Sequence, residues 1–145
     1  MSATLYNAQI LRLAAGIPHH ERLADPQGTS ERRSPICGSR VTIDVILDEQ
    51  GRVAQLGQLV RACALGQASA SLMGAHAIGR SEAELVEARD ALAAYLAGTR
   101  DDPGAWPGLE IFAPARAHSA RHASIRLAFE ALAEAVAQAR RAEAA

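Results

Sequence analysis

Apolar and polar positions alternate most clearly in the middle of the chain. In residues 41–47 every second position is apolar, which is typical of a β-strand with one buried face. Residues 54–62 repeat this alternation, interrupted only by Gln58, and residues 48–51 between the two stretches have the composition of a turn. Because the connection is short, we expect an antiparallel hairpin. Residues 25–34, which include a proline and a glycine, predict only a weak edge strand.

Apolar residues at helical spacing occupy most of the remaining chain. One of these stretches opens with Ser81 and Glu84, the pattern of a capping box, and Gly98 is placed to end it. The stretches are residues 4–15, 64–79, 81–98, 109–112 and 124–141. A helix, a short meander and then several helices predict an α+β fold, a small antiparallel three-stranded sheet with helices packed on one face.

Length and composition set outer limits on this domain. A chain of 145 residues fits one domain spanning residues 1–145, and a 49% apolar but 3% aromatic composition predicts a core of Ala, Leu, Val and Ile. The net charge of -1 predicts no general attraction to nucleic acid or to an anionic membrane. No apolar run approaches the roughly 18 residues that span a bilayer, and no signal-peptide pattern is present, so a cytoplasmic location is expected.

The chain has two cysteines, too few for a disulfide framework. Cys37 precedes the first strand of the hairpin and Cys63 follows the second, so the two are predicted to be neighbours. Cys63 also stands at the start of a helix, where unpaired N–H groups and the helix dipole favour a thiolate. Thiolates bind soft metals. For either cysteine alone a small buried apolar residue would be the favoured interpretation, but their predicted closeness favours a shared site.

The sequence around the cysteines resembles a known family. Residues 34–38 read Ser-Pro-Ile-Cys-Gly, and residues 62–71 read Ala-Cys-Ala-Leu-Gly-Gln-Ala-Ser-Ala-Ser. Both are similar to the cysteine motifs of the NifU/IscU/SufU iron–sulfur cluster assembly scaffolds, and the resemblance extends over residues 6–136. It implies a non-enzymatic scaffold that holds an iron–sulfur cluster, such as [2Fe-2S], or zinc at Cys37 and Cys63. It also implies that sulfur comes from a cysteine desulfurase and that apo iron–sulfur client proteins receive the cluster.

Two positions depart from the family pattern. Ser39 stands where the family has an aspartate, and Ser124 stands where it has a third cysteine. Neutral hydroxyls are poor ligands for iron or zinc. His118 and His122 would share one face if their segment is helical, so Cys37, Cys63, His122 and His118 could form a Cys₂His₂ metal site. The alternative for both histidines is simple solvation at the surface.

The sequence leaves four other hypotheses open. A homodimer would supply four thiolates from two copies of Cys37 and Cys63, the number an iron–sulfur cluster usually takes. The same fold could instead be a metal-free interaction or regulatory module that acts on the assembly machinery. A thiol enzyme with Cys63 as nucleophile and His122 as base ranks last, because no sequence spacing fixes that geometry. The gap from Cys63 to Ser124 resembles SufU-type spacing, which keeps a zinc-containing sulfur acceptor open.

Overall fold

The structure is a computed structural model that describes residues 5–35 and 38–144. Four α-helices and three strands make up the described chain, with two 3₁₀ segments before the last helix. In chain order they are α1 (Ala8–Ala15), β1 (Gly28–Arg33), β2 (Arg40–Leu47), β3 (Val53–Arg61), α2 (Ala64–His76), α3 (Glu82–Ala97), the 3₁₀ segments Leu109–Ala117 and Ser119–Arg121, and α4 (His122–Ala144). None of these helices is long and apolar enough to cross a membrane.

The three strands form one antiparallel sheet in the order β1-β2-β3. Val41 lies opposite Val60 and Val45 lies opposite Leu56, which is the predicted hairpin. Gly51 closes its turn with a φ of +78°, a conformation that glycine adopts without strain. The weakly predicted strand pairs with β2 along its whole length and forms the edge of the sheet. The predicted α+β fold is therefore confirmed.

The helices lie on one face of the sheet. Val41, Ile43 and Val45 point to this face and are fully buried, and α4 crosses β1 and β2 above them. The crossing is close, since a Cβ at Gly28 would overlap the backbone carbonyl of Ala135. The core is filled mainly by alanine and aliphatic side chains, in agreement with the composition.

Local capping determines where the helices begin and end. Asn7 accepts a hydrogen bond from the backbone N–H of Ile10, so α1 begins at Ala8, later than the predicted start at residue 4. The predicted capping box is present between Ser81 and Glu84, and Gly98 ends α3 with a φ of +83°. The predicted turn at residues 109–112 is the start of a longer 3₁₀ segment, Leu109–Ala117.

The other face of the sheet, the outer face, carries a buried carboxylate. Asp44 of β2 is fully buried and accepts hydrogen bonds from the Arg22 guanidinium at 2.6 and 3.1 Å, from the Thr29 hydroxyl at 2.7 Å and from the Leu23 N–H at 3.1 Å. Burial alone would raise the pKa of Asp44, but these hydrogen bonds outweigh it and hold that pKa below its ordinary value. The segment that carries Arg22 is thereby fixed across the outer face, over Gly57.

Candidate functional site

Cys63 is the residue at which β3 gives way to α2. It is the N-cap of the helix, with extended backbone angles, and its carbonyl accepts the first helical hydrogen bond from Gln67 at 2.9 Å. Its side chain makes no capping hydrogen bond and is only partly buried. The thiol is therefore not used to stabilise the helix start and remains available for chemistry.

Ser39 and Ser124 complete a small cluster with Cys63, which we call the thiol–hydroxyl cluster. The Ser124 Oγ lies 3.3 Å from the Cys63 Sγ and 3.1 Å from the Ser39 Oγ. Ser39 precedes β2 and Ser124 lies in the first turn of α4, and both are buried. The two positions at which the sequence departs from the family pattern thus contact each other, and Ser124 also contacts the thiol.

The contact between α2 and α4 depends on Gly66. A Cβ at this position would stand 2.6 Å from the Ser124 Oγ and 2.7 Å from the Ala62 Cβ, both too close for a real contact. One turn further along, the Ser69 hydroxyl donates a hydrogen bond of 2.6 Å to the carbonyl of Ile125. The Gly-Ala-Ser composition of α2 therefore lets α4 approach closely enough to place Ser124 beside Cys63.

Neither Ser39 nor Ser124 brings a formal charge to the thiol–hydroxyl cluster. Ser124 has one proton to donate and lone pairs to accept with, so it can donate to one neighbour while accepting from the other. If Cys63 is a thiolate, the bond to it is charge-assisted and Ser124 is its donor. The cluster can therefore support an anionic sulfur with a neutral hydroxyl.

The two histidines do not share the helical face that their spacing suggested. His118 lies between the two 3₁₀ segments with φ −115° and ψ 76°, so the predicted helical relation to His122 is wrong. The Nε2 of His122 lies 2.9 Å from the carbonyl of Ala115, and because a carbonyl only accepts, this nitrogen carries the proton. His118 is exposed.

The donor set of the described residues does not fit a resident metal ion. Within residues 5–35 and 38–144, no three His, Cys, Asp or Glu side chains lie close enough together to hold one. Cys63, His118 and His122 therefore do not form such a group by themselves. Cys37 lies outside the described residues, so its closeness to Cys63 and the Cys₂His₂ site that includes it stay predictions.

An open hollow of about 460 Å³ lies beside Cys63. It is lined by Gly38, Ser39, Val60, Arg61, Ala62, Cys63 and Gln67. Sequence reasoning missed Arg61 as part of this site. The available signal was its place in the chain, two residues before Cys63 at the end of the predicted strand. The partly buried Cys63 thus borders a hollow that is open to solvent.

Comparison with known proteins gives the same fold. No protein-family model matches the chain and no curated protein sequence matches it, but solved structures do. The N-terminal part of a nitrogen-fixing NifU-like protein from Brucella abortus is 36% identical with a TM-score of 0.88, over 94% of this chain and 95% of that chain. A protein of thermophilic Fervidobacterium islandicum, named as an iron–sulfur cluster assembly scaffold for the SUF system, is 20% identical with a TM-score of 0.84, over 91% and 96% of the two chains.

A third solved structure, a hypothetical protein, is 23% identical with a TM-score of 0.81 over 90% of this chain and 95% of that chain. Together the likenesses define an α+β domain with the scaffold fold, in which Cys63 lies where the sheet meets α2. On the Brucella likeness, the chain belongs to the NifU/IscU/SufU-type scaffold family.

Proposed function

We propose that this protein is a scaffold-like component of iron–sulfur cluster assembly that accepts sulfur at Cys63, with Cys37 as a second thiol. One observation carries the proposal: the Cys63 thiol is partly exposed at the N-terminus of α2, opens onto a hollow and has the Ser124 hydroxyl at 3.3 Å. Membership of the scaffold family supports the same role. The sulfur donor under this proposal is a cysteine desulfurase, and the receivers are apo iron–sulfur proteins.

The transfer step needs only groups that the site presents and the donor's persulfide. The Cys63 thiolate attacks the terminal sulfur of the persulfide, a new S–S bond forms at Cys63, and the donor cysteine leaves as a thiolate. Ser124 donates a hydrogen bond to the anionic sulfur before the attack. The unpaired N–H groups at the start of α2 favour negative charge at the same place.

A cluster such as [2Fe-2S], or zinc, is cargo under this proposal and needs donors beyond the thiol–hydroxyl cluster. Cys37 would be the second thiolate. A homodimer would bring four thiolates to one cluster, or His122 and His118 would complete the set around zinc. These ligand sets remain proposals, and a cytoplasmic location remains an expectation from the sequence.

A second function is favoured by the hydroxyl pair. The Ser39 and Ser124 hydroxyls are 3.1 Å apart, within hydrogen-bond distance of each other. A metal ion at these two positions would instead require carboxylate or thiolate ligands. A site whose polar groups are satisfied in this way suits a metal-free module that binds the assembly machinery. In that case Cys63 accepts no sulfur.

Sulfur transfer and metal content distinguish the two functions. Protein purified without oxygen is incubated with a cysteine desulfurase and cysteine, alkylated and analysed by peptide mass spectrometry, and its iron, zinc and sulfide are measured. We expect one added sulfur atom on the Cys63 peptide of the wild type and none in Cys63→Ser. An unmodified Cys63 in the wild type, with neither metal nor sulfide bound, would support the metal-free module.

Parallel variants test the proposed ligands. Cys37→Ser should lower bound metal if Cys37 is a ligand, and His122→Ala should do so if the histidine set is used. His76→Ala, at the far end of α2, is the matched histidine control. Equal metal content in His122→Ala and His76→Ala would remove the histidine set and leave the dimer of thiolates.

A further inference from the structure

Three arginines form a row across the sheet at the end nearest Cys63. In the strand register Arg33 of β1 lies opposite Arg40 of β2, and Arg40 lies opposite Arg61 of β3. Directly opposed residues of antiparallel strands point to the same face, with Cβ atoms about 4.5–5.5 Å apart. Arg40 precedes Val41, which faces the helices, so the arginine row (Arg33, Arg40 and Arg61) lies on the outer face.

The row holds more positive charge than its surroundings neutralise. Glu31 is the carboxylate that meets it, 3.1 Å from the Arg33 guanidinium and 3.9 Å from that of Arg40. The hydrogen bond from Arg33 lowers the pKa of Glu31, which therefore stays ionised. Arg61 has no ion pair with any described residue. Like charges placed directly opposite each other destabilise a sheet, so the row costs stability unless an anion binds it.

An apolar side chain lies beside the row. Leu59 of β3 is 43% exposed and faces Thr42 across the strands. Both residues line a shallow hollow of about 270 Å³, together with Arg22, Glu31, Arg40 and Arg61. An exposed leucine among arginines has the composition of a protein interface, in which arginine is enriched and the centre is apolar.

The row is also contiguous with the thiol–hydroxyl cluster. Arg40 directly follows Ser39, and Arg61 lines the hollow that opens onto Cys63. A protein seated on the row would therefore have its edge at the Cys63 sulfur.

We propose that the arginine row and Leu59 bind an acidic protein surface, namely two or three carboxylates beside an apolar side chain. With strands about 4.8 Å apart the row spans only about 10 Å, which matches a few carboxylates better than a long polyanion. The chain as a whole has a net charge of -1, so a nucleic acid that extended beyond the row would meet no general attraction. A phosphate backbone also offers no partner for Leu59.

This docking is independent of the sulfur chemistry at Cys63. Under the proposed function the docked protein is the sulfur donor or a client, and the row positions its reactive group at the hollow. If Cys63 accepts no sulfur, the same surface still binds an acidic partner.

The test uses the full chain and a fluorescent peptide that contains Glu-Glu-Leu-Glu-Glu, followed by fluorescence anisotropy. The matched probe replaces the glutamates by glutamines. We expect tighter binding of the acidic peptide than of the matched probe. In the double variant Arg40→Gln and Arg61→Gln we expect binding about tenfold weaker, because two exposed ion pairs are lost. The double variant Arg89→Gln and Arg141→Gln, whose arginines lie on α3 and α4, should bind like the wild type.

Three results would overturn the proposal. The first is that the double variant Arg40→Gln and Arg61→Gln binds the acidic peptide as tightly as the wild type does. The second is that the wild type binds the glutamine peptide as tightly as the acidic one. The third is that the wild type binds a single-stranded oligonucleotide more tightly than the acidic peptide. The row variant should fold, because removal of opposed charges relieves repulsion, and thermal unfolding checks this. Cys63→Ser should keep full peptide binding, which separates a failure of docking from a failure of sulfur transfer.

Discussion

The outer face and the end of the sheet each hold a polar cluster that is largely buried, and the two differ in charge. On the outer face Asp44 is a carboxylate with four hydrogen bonds, two of them from Arg22. At the end of the sheet the thiol–hydroxyl cluster joins Ser39, Ser124 and Cys63 by neutral contacts of 3.1 and 3.3 Å. The first cluster fixes a segment of chain, whereas the second leaves a sulfur facing an open hollow.

The difference shows how the fold divides its polar groups. A buried charge without hydrogen-bond partners is strongly destabilising. The groups that bond to such a charge are therefore held firmly in place. A neutral hydrogen bond contributes only about 0.5–1.5 kcal/mol net, less than a bond to a charged group, so a hydroxyl pair holds its neighbours less firmly. The fold thus places charged bonds where a segment of chain is held in place, and neutral bonds beside the sulfur that borders an open hollow.

Removal of Arg22 is expected to have the largest effect. Arg22→Ala strands a fully buried carboxylate, and we expect a loss of about 3 kcal/mol in the free energy of unfolding, measured by urea denaturation. Arg89→Ala, which breaks an exposed pair with Asp90, is the matched control and should cost less than about 1 kcal/mol. Equal losses in the two variants would show that the Asp44–Arg22 pair stabilises the fold no more than an exposed ion pair does.

Conversion of the neutral cluster to charged donors should create a metal site. Ser39→Asp combined with Ser124→Cys places a carboxylate and a second thiol beside Cys63. We expect zinc to bind at least about a hundredfold more tightly than in the wild type. Mutation of the groups that merely support metal ligands already changes metal affinity by up to about a hundredfold, and here two ligands are added. A chelator competition measures this, with Ser119→Cys as the control for an added thiol. No gain over that control would mean that the cluster geometry is unsuited to metal.

Two glycines allow a direct comparison of how tightly the clusters are packed. A Cβ at Gly57 would overlap the backbone of Glu21, in the segment that Arg22 fixes over the outer face, whereas at Gly66 it would first meet the Ser124 hydroxyl. Backbone yields less readily than a side chain, so Gly57→Ala should cost about 3 kcal/mol and Gly66→Ala about 1.5 kcal/mol. Thermal unfolding of both variants measures the difference. A larger loss in Gly66→Ala would show that the chain is packed more tightly at the thiol–hydroxyl cluster than over the outer face.

Acid should lower the contribution of Asp44 to the free energy of unfolding and leave that of the thiol–hydroxyl cluster unchanged. This difference is expected to be smaller than the effects of the substitutions. The pKa of Asp44 lies below its ordinary value of 3.8 in the folded protein, so its contribution is present above that value and is lost as the pH falls through the folded pKa. The stabilities of the wild type and Asp44→Asn should therefore converge as the pH falls, whereas Ser39→Ala should stay parallel to the wild type. Curves of unfolding free energy against pH provide the measurement.

Local sequence patterns sufficed for most of the fold. The β2–β3 hairpin and the capping box of Ser81 and Glu84 each rest on residues only a few positions apart, so periodicity and capping chemistry predicted them. The helical relation of His118 and His122 failed because the chain between residues 109 and 121 forms two 3₁₀ segments, which end and begin at His118.

The sites depended on contacts that no local pattern contains. Asp44 is polar on the outer face, as alternation predicted, but its partner Arg22 lies 22 residues earlier. The arginine row exists only through the strand register, which fixes Arg33, Arg40 and Arg61 opposite one another. The family resemblance singled out Ser39 and Ser124 as departures from the pattern, but their contact with each other is seen only in the structure. Hydropathy alone would have left both as ordinary polar residues.

The missing cap at the start of α2 has a consequence for how this chain can change over time. Serine at position 63 could bond to the helix's own N–H groups, and we expect Cys63→Ser to raise the unfolding free energy by up to about 1 kcal/mol. Under the proposed function the same substitution ends sulfur transfer. Selection for stability alone would therefore erode the thiol, so the persistence of cysteine here would be a direct signature of selection for its chemistry.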